Sequence, residues 1–214
     1  MRNWPAGSIF SSVNDLSRWV IALLNEGKLD GQQVLAPGLL TQLAAPHTPV
    51  PGTSSHYGYG LMSAVDRGVR VFQHSGSRSG YGSLIAMAPE QRVGVIILVN
   101  RTGGSLPMTA EKALALLLPL TAKSAEKAPS LALTEAEIDR CTGVFAQGAQ
   151  GAQRAELLKR DGQLWLKRET QTLAVSKTGE GRFTAGSTAF ALVFSADGKA
   201  EYFHAGLRSL RRVK

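Results

Sequence analysis

The stretch Val69-Arg70-Val71-Phe72-Gln73-His74-Ser75-Gly76-Ser77-Arg78-Ser79-Gly80-Tyr81-Gly82-Ser83-Leu84-Ile85-Ala86-Met87-Ala88-Pro89-Glu90-Gln91-Arg92-Val93-Gly94-Val95-Ile96-Ile97-Leu98-Val99-Asn100 decides the fold. Val69–His74 alternates apolar and polar residues and runs to Gly76, which predicts a strand over 69–74. Ser83–Ala88 and Val93–Val99 are apolar runs joined by Pro89-Glu90-Gln91-Arg92 and predict two more. Val93–Val99 leaves almost no polar face, as expected of a strand covered on both sides. The glycine-rich turn Gly76–Gly82 joins two strands and opens no helix, which argues against a phosphate cradle. Three closely spaced strands with such short connections predict one antiparallel sheet.

Upstream, Val13, Leu16, Val20, Leu23 and Leu24 recur at helical spacing. Ser12 can cap this helix, Asp15 stands three residues on in capping-box position, and Gly27 follows as a stop, so a helix is expected over 13–26. Lys28-Leu29-Asp30-Gly31 is turn text. Pro37 then opens a second helix carrying Leu39, Leu40 and Leu43. Residues 46–57 read as loop, and Gly58–Val65 as the lead-in strand or an edge of the sheet. Downstream, Met108–Leu120 is apolar nearly all round and reads as a buried helix.

From 121 to 132 the text is small, charged and carries one proline, which suggests a linker. Beyond it come short strands and turns. Asp161-Gly162 separates Ala155–Arg160 from Gln163–Arg168, and Asp197-Gly198 separates Ala189–Ser195 from Lys199–His204. Asp-Gly between alternating runs is a strong hairpin signal. The expected fold class is therefore α+β: an antiparallel sheet with flanking helices over 1–122, a linker over 123–132, and a small all-β, barrel-like domain over 133–214.

Charge and composition narrow the function. The 214 residues include 24 Lys and Arg against 16 Asp and Glu, a net charge of +8, with 43% hydrophobic residues. That apolar share supports a core and excludes disorder as the main state. The basic excess sits at the end: residues 150–214 hold twelve basic and six acidic residues. A basic surface suits nucleic acid, anionic lipid or an acidic polymer. Here the charges come as the pairs Lys159-Arg160, Lys167-Arg168 and Arg211-Arg212 within strand-like text, and no nucleic-acid motif accompanies them. A solvated β-surface is the better reading, and no nucleic-acid partner is expected. One cysteine, Cys141, excludes an internal disulfide framework and a multi-thiolate zinc site. His47, His56, His74 and His204 lack metal-ligand spacing, so no metal or cofactor is expected. The most apolar stretch, Ala113–Leu120, falls far short of the roughly 20 residues that span a bilayer. No signal-peptide pattern opens the chain.

The motif strand resembles the C-terminal half of the serine β-lactamase and penicillin-binding-protein superfamily, nearest to class C β-lactamase-like esterases and peptidases. That family carries Lys-Thr-Gly or His-Ser/Thr-Gly on a sheet-edge strand, and His74-Ser75-Gly76 stands in the matching place. Pro5-Ala6-Gly7-Ser8-Ile9-Phe10-Ser11-Ser12-Val13-Asn14-Asp15-Leu16 resembles the family segment that opens a helix. Tyr57-Gly58-Tyr59-Gly60-Leu61 resembles its Tyr-Gly-Leu-Gly text. The tail from about 130 resembles the small β-barrel often appended to these hydrolases, with Cys141 and Phe145 where tyrosines are common.

The resemblance implies acyl transfer from an ester, peptide or β-lactam, with a small-molecule or peptide substrate. It implies that the backbone N–H of Ser77 is one of two oxyanion donors, and that Gly76 leaves room for a ligand along the strand. His74 and Ser75 are implied to contact a substrate carboxylate or to assist proton traffic. Tyr81 would roof the cleft, or else pack as a core aromatic of the hairpin. Gly7 and Ser8 would line the acyl pocket. For intact family members, a periplasmic or extracellular location fits.

The family's nucleophile motif, Ser-x-x-Lys, and its second motif, Tyr-x-Asn or Ser-x-Asn, are expected upstream of all these segments. The chain opens after that place. Ser124-Ala125-Glu126-Lys127, Ser12-Val13-Asn14 and Lys177-Thr178-Gly179 match the patterns in the wrong order and read as chance matches. This chain alone is therefore expected to be inactive and prone to self-association through uncovered apolar faces. The competing reading is a non-catalytic module that binds a peptide, a cell-wall ligand or a partner chain.

Overall fold

The computed structural model describes residues 7–78, 80–101, 106–122, 130–147, 153–168 and 171–213. The chain divides into two compact units: Met1–Pro49 with Ser54–Lys123, and Val50–Thr53 with Ser124–Lys214. The fold is mixed helix and antiparallel sheet, as expected, and the barrel is closed.

The first unit opens with α1 (Val13–Leu24), whose N-cap is Ser12. The Ser12 hydroxyl accepts from the Asp15 N–H, so the cap read from the sequence forms. A small hairpin, β1 (Lys28–Leu29) and β2 (Gln32–Gln33), occupies the turn text. α2 is Leu39–Leu43. It starts after Gly38, a left-handed residue at φ 73°, so Pro37 precedes the helix rather than opening it. The segment expected as loop supplies two short strands, β3 (Thr48–Pro49) and β4 (His56–Tyr57). They extend a sheet formed by β5 (Met62–Asp66), β6 (Val69–Arg78), β7 (Tyr81–Ala88) and β8 (Val93–Val99), in the order β3-β4-β5-β6-β7-β8. β5 is therefore an inner strand, not an edge.

Alternation divides the sheet into two faces. Val69, Val71, Leu84, Ala86, Ala88 and Val95 pack on one face against Leu106, Ala110 and Leu114 of α3 (Leu106–Leu117). Phe72, Met87 and Ile96 pack on the other against Val20 and Leu23 of α1 and Leu40 of α2. β8 thus meets a helix on each face, but its far end is less covered than its run of apolar residues predicted, with Leu98 exposed on the α1 side. The helix read as buried all round is not: Leu116 is 88% exposed and Met108 61%. Only one stripe of α3 meets the sheet, because a single helix on a sheet face has just one side to bury.

In the second unit, α4 (Glu135–Cys141) precedes the strands, a helix the all-β expectation omitted. Its start is a full capping box between Thr134 and Glu137. The barrel runs through β10 (Arg154–Arg160), β11 (Gln163–Arg168), β12 (Gln171–Gly179), β13 (Arg182–Ala185), β14 (Thr188–Phe194), β15 (Ala200–Ala205) and β16 (Arg208–Arg212), and closes through β9 (Gly143–Ala146). Both Asp-Gly hairpins form where expected. Asp161 and Gly162 both take positive φ, 52° and 71°, which suits the twist of a two-residue hairpin. Phe183, Phe190, Phe203 and Phe145 follow one another with ring centroids 5.4, 4.7 and 6.0 Å apart. These buried rings fill the barrel interior.

Candidate active site

Strand β6 does not stop at His74 but continues to Arg78, so the whole motif lies inside the strand. Along its first half, Val69–Gln73 pairs with β5 on one side, from Asp66↔Val69 to Met62↔Gln73. Phe72 to Arg78 pairs with β7 on the other side, from Phe72↔Met87 to Arg78↔Tyr81. β5 begins at Met62, so beyond Gln73 no strand among the described residues pairs with the β5 side of β6. His74-Ser75-Gly76-Ser77-Arg78 is a five-residue open edge, and all five are exposed.

The ladder dictates what that edge offers. In an antiparallel pair, residues alternate between those bonded to the neighbour and those whose N–H and C=O turn away. A two-residue connection is closed by a bonded pair. Asp66 and Val69 close the hairpin across Arg67-Gly68, so odd-numbered residues of β6 turn their backbone toward β5. Arg78 and Tyr81 close the hairpin across residues 79 and 80, so even-numbered residues turn toward β7. The two hairpins agree. Ser75 and Ser77 therefore present their N–H and C=O groups to the open edge.

Side chains follow the complementary alternation. His74, Gly76 and Arg78 share the face of Phe72, on the α1 and α2 side, whereas Ser75 and Ser77 share the face of Val71. A Cβ on Gly76 would lie 3.0 Å from Ser83 Oγ, so glycine keeps that face clear. The His74 ring lies 6.1 Å from that of Tyr57, centroid to centroid, and His47 lies 4.2 Å from Tyr59. Arg78 Nη1 donates to the Gly7 carbonyl at 2.9 Å, which brings the chain start to the end of the motif strand. Ser8 is exposed next to it. Tyr81 is 66% exposed opposite Arg78 and so is not a core aromatic. Sequence reasoning missed Tyr57 and Arg78 as neighbours of the motif. The alternation within β6 was the signal for Arg78, and Tyr57 stood in the Tyr-Gly segment that resembles the family text without being placed beside His74.

The three pattern matches outside this strand have other settings or none described. Ser12 is a helix cap. Lys177 lies in β12 and binds Glu137 at 2.5 Å. Ser124-Ala125-Glu126-Lys127 lies outside the described residues. Two cavities are elsewhere: one of about 320 Å³ at α4 and the barrel, including Glu137, Cys141 and Phe183, and one of about 620 Å³ including Asn25, Lys28 and Arg92. Neither touches β6. Among the described residues no cluster of three or more His, Cys, Asp or Glu could hold a metal ion, and no helix is long and apolar enough to cross a membrane.

Helices on both faces of an antiparallel sheet, with His-Ser-Gly on an exposed strand edge, define the class: the scaffold of β-lactamases and penicillin-binding proteins. Residues 1–118 match the family model described as Beta-lactamase, and the chain belongs to that family of hydrolase-related proteins. Unguisins hydrolase UngD of Aspergillus violaceofuscus is 30% identical over 112 residues, 45% of this chain and 20% of that protein. A human beta-lactamase-like protein is 27% identical over 126 residues, 58% of this chain and 25% of that one. The crystal structure of SurE shares the fold at a TM-score of 0.65 with 18% identity, over 95% of this chain and 48% of that chain. The chain thus spans a fifth to a quarter of these curated relatives and about half of this solved structure.

Proposed function

We propose that this chain supplies the substrate-holding strand of a serine acyl hydrolase that acts on an ester, peptide or β-lactam. The open edge of β6 carries the reading. An extended acyl substrate adds to it as an antiparallel partner, its backbone bonding Ser75 and Ser77. The Ser77 N–H then faces the carbonyl oxygen on which negative charge develops, a donor worth about 10²–10³ in turnover. Gly76 keeps the approach clear. His74, backed by Tyr57, and Ser75 serve the substrate carboxylate or proton traffic, and Tyr81, Gly7 and Ser8 border the acyl side. The hydrolase portion is residues 1–122, joined by a linker over 123–132 to the β-domain over 133–214. The apolar side chains left exposed on the first unit, Ile9, Phe10, Leu116 and Leu117 among them, favour self-association of the chain.

The test is a titration of N-acetyl-trialanine into the ¹⁵N-labelled chain. Amide shifts should move at Ser75, Gly76 and Ser77 and not around the barrel cavity. Ser77→Pro removes a donor that faces no strand, so it should abolish the response while leaving the spectrum dispersed. Shifts confined to other regions, or unchanged binding in Ser77→Pro, would overturn the reading.

A further inference from the structure

We propose that Arg78 reads a carboxylate on the acyl side of the substrate, at the residue just before the one whose carbonyl reacts. The inference rests on the open-edge reading and adds its direction. A ligand residue that bonds both the N–H and the C=O of Ser77 sits directly opposite Ser77. In an antiparallel partner the next residue toward the ligand's N-terminus then lies opposite Arg78, and the next toward its C-terminus opposite Gly76.

Cross-strand partners share a face, and they stand closest at positions not bonded to each other across the ladder. Arg78 is such a position toward the open edge, because its own N–H and C=O are turned to β7. The ligand side chain opposite it therefore stands beside the arginine, on the face shared with His74 and Gly76.

The arginine is prepared for this. The Gly7 carbonyl accepts from Nη1 at 2.9 Å, and Gly7 packs closely enough that a Cβ there would lie 3.0 Å from the same nitrogen. That contact orients the guanidinium, whose other nitrogens have no hydrogen-bond partner among the described residues. Arg78 is exposed and has no acidic partner among the described residues, in contrast to Arg18 with Asp30, Arg67 with Asp66 and Arg211 with Glu201. A planar guanidinium held at one end suits a carboxylate better than a neutral amide of the same shape.

The probes are N-acetyl-Glu-Ala-Ala and N-acetyl-Gln-Ala-Ala, titrated into the ¹⁵N-labelled 214-residue chain at low salt. The glutamate peptide should bind about two- to fivefold tighter, the range an exposed ion pair supplies. Arg78→Gln should bring the two affinities together without weakening the glutamine peptide, whereas Arg78→Lys should keep part of the preference. Added salt should erase the preference in the wild type. Equal binding of both peptides by the wild type, or a preference that survives Arg78→Gln, overturns the role of Arg78 and leaves the edge reading intact. If neither peptide moves the amides of Ser75 and Ser77, the edge reading itself falls, and this inference with it.

Discussion

At the scale of single residues, the open edge turns on which way each backbone amide points, and proline reports that directly. Ser77→Pro loses an N–H that faces solvent, so its melting temperature should stay within a few degrees of wild type. Gly76→Pro loses an N–H turned toward β7 and so a ladder hydrogen bond, and should be clearly more destabilising than Ser77→Pro, read by denaturant unfolding. Similar losses from both variants would mean the alternation along β6 is misassigned. Cys141 gives a second residue-scale expectation. Burial, above all, pushes its thiol up to about 11, against the partial opposition of Arg140. Its raised value means the folded state favours the protonated thiol. That contribution is full below the ordinary thiol value and is lost as the pH rises through about 11. At pH 8 the native thiol should resist a disulfide reagent such as DTNB, and should react at once in denaturant. Fast labelling of the native chain would show the α4 end of the barrel to be open.

At the scale of elements, two contacts hold helices to their strands. Gly94 of β8 faces α1, where an added Cβ would come 2.5 Å from Val20 Cγ1. Gly94→Ala should therefore push α1 off the sheet and cost about 1–3 kcal/mol, an overpacking penalty measurable by chemical denaturation. The barrel's helix is held by Glu137, which binds Lys177 and also accepts from the Thr134 N–H at 2.9 Å. The Lys177 bond first, and then the Thr134 contacts, lower the Glu137 carboxyl from 4.5 to about 2. Because the folded value is the lower one, the stabilising contribution is present above the ordinary carboxylate range and is lost as the pH falls from about 4.5 to about 2. Glu137→Gln should accordingly lose less melting temperature over that window than the wild type does. Parallel acid profiles would assign the acid sensitivity to other carboxylates. These elements were legible to different degrees. The Ser12 cap and the Asp-Gly hairpins depend on neighbours within a few residues, and the text alone located them. The two-residue strands β3 and β4 were not legible, because a run that short has no period and exists only through its partner.

At the scale of the whole molecule, the exposed apolar side chains decide behaviour in solution. Ile9 is 87% and Phe10 96% exposed, so the chain should scatter light as dimers or larger species at micromolar concentration. Leu116→Glu with Leu117→Gln should shift that distribution toward monomer if α3 is part of the contact. A monodisperse wild-type monomer would show that these side chains need no cover. The sequence by itself determined strands β6, β7 and β8 of the central sheet, the α1 cap and both barrel hairpins. These follow from periodicity and turn chemistry, which act over short distances along the chain, whereas His74-Ser75-Gly76 was picked out by its resemblance to a family motif. Tertiary structure alone decided that β5 stops opposite Gln73, leaving the motif edge open, and that Gly7 meets Arg78 across 71 positions of sequence. It likewise closed the barrel by pairing β9 with β16. Such pairings depend on the three-dimensional end-points of distant segments, and no local pattern of side chains encodes where a neighbouring strand runs out.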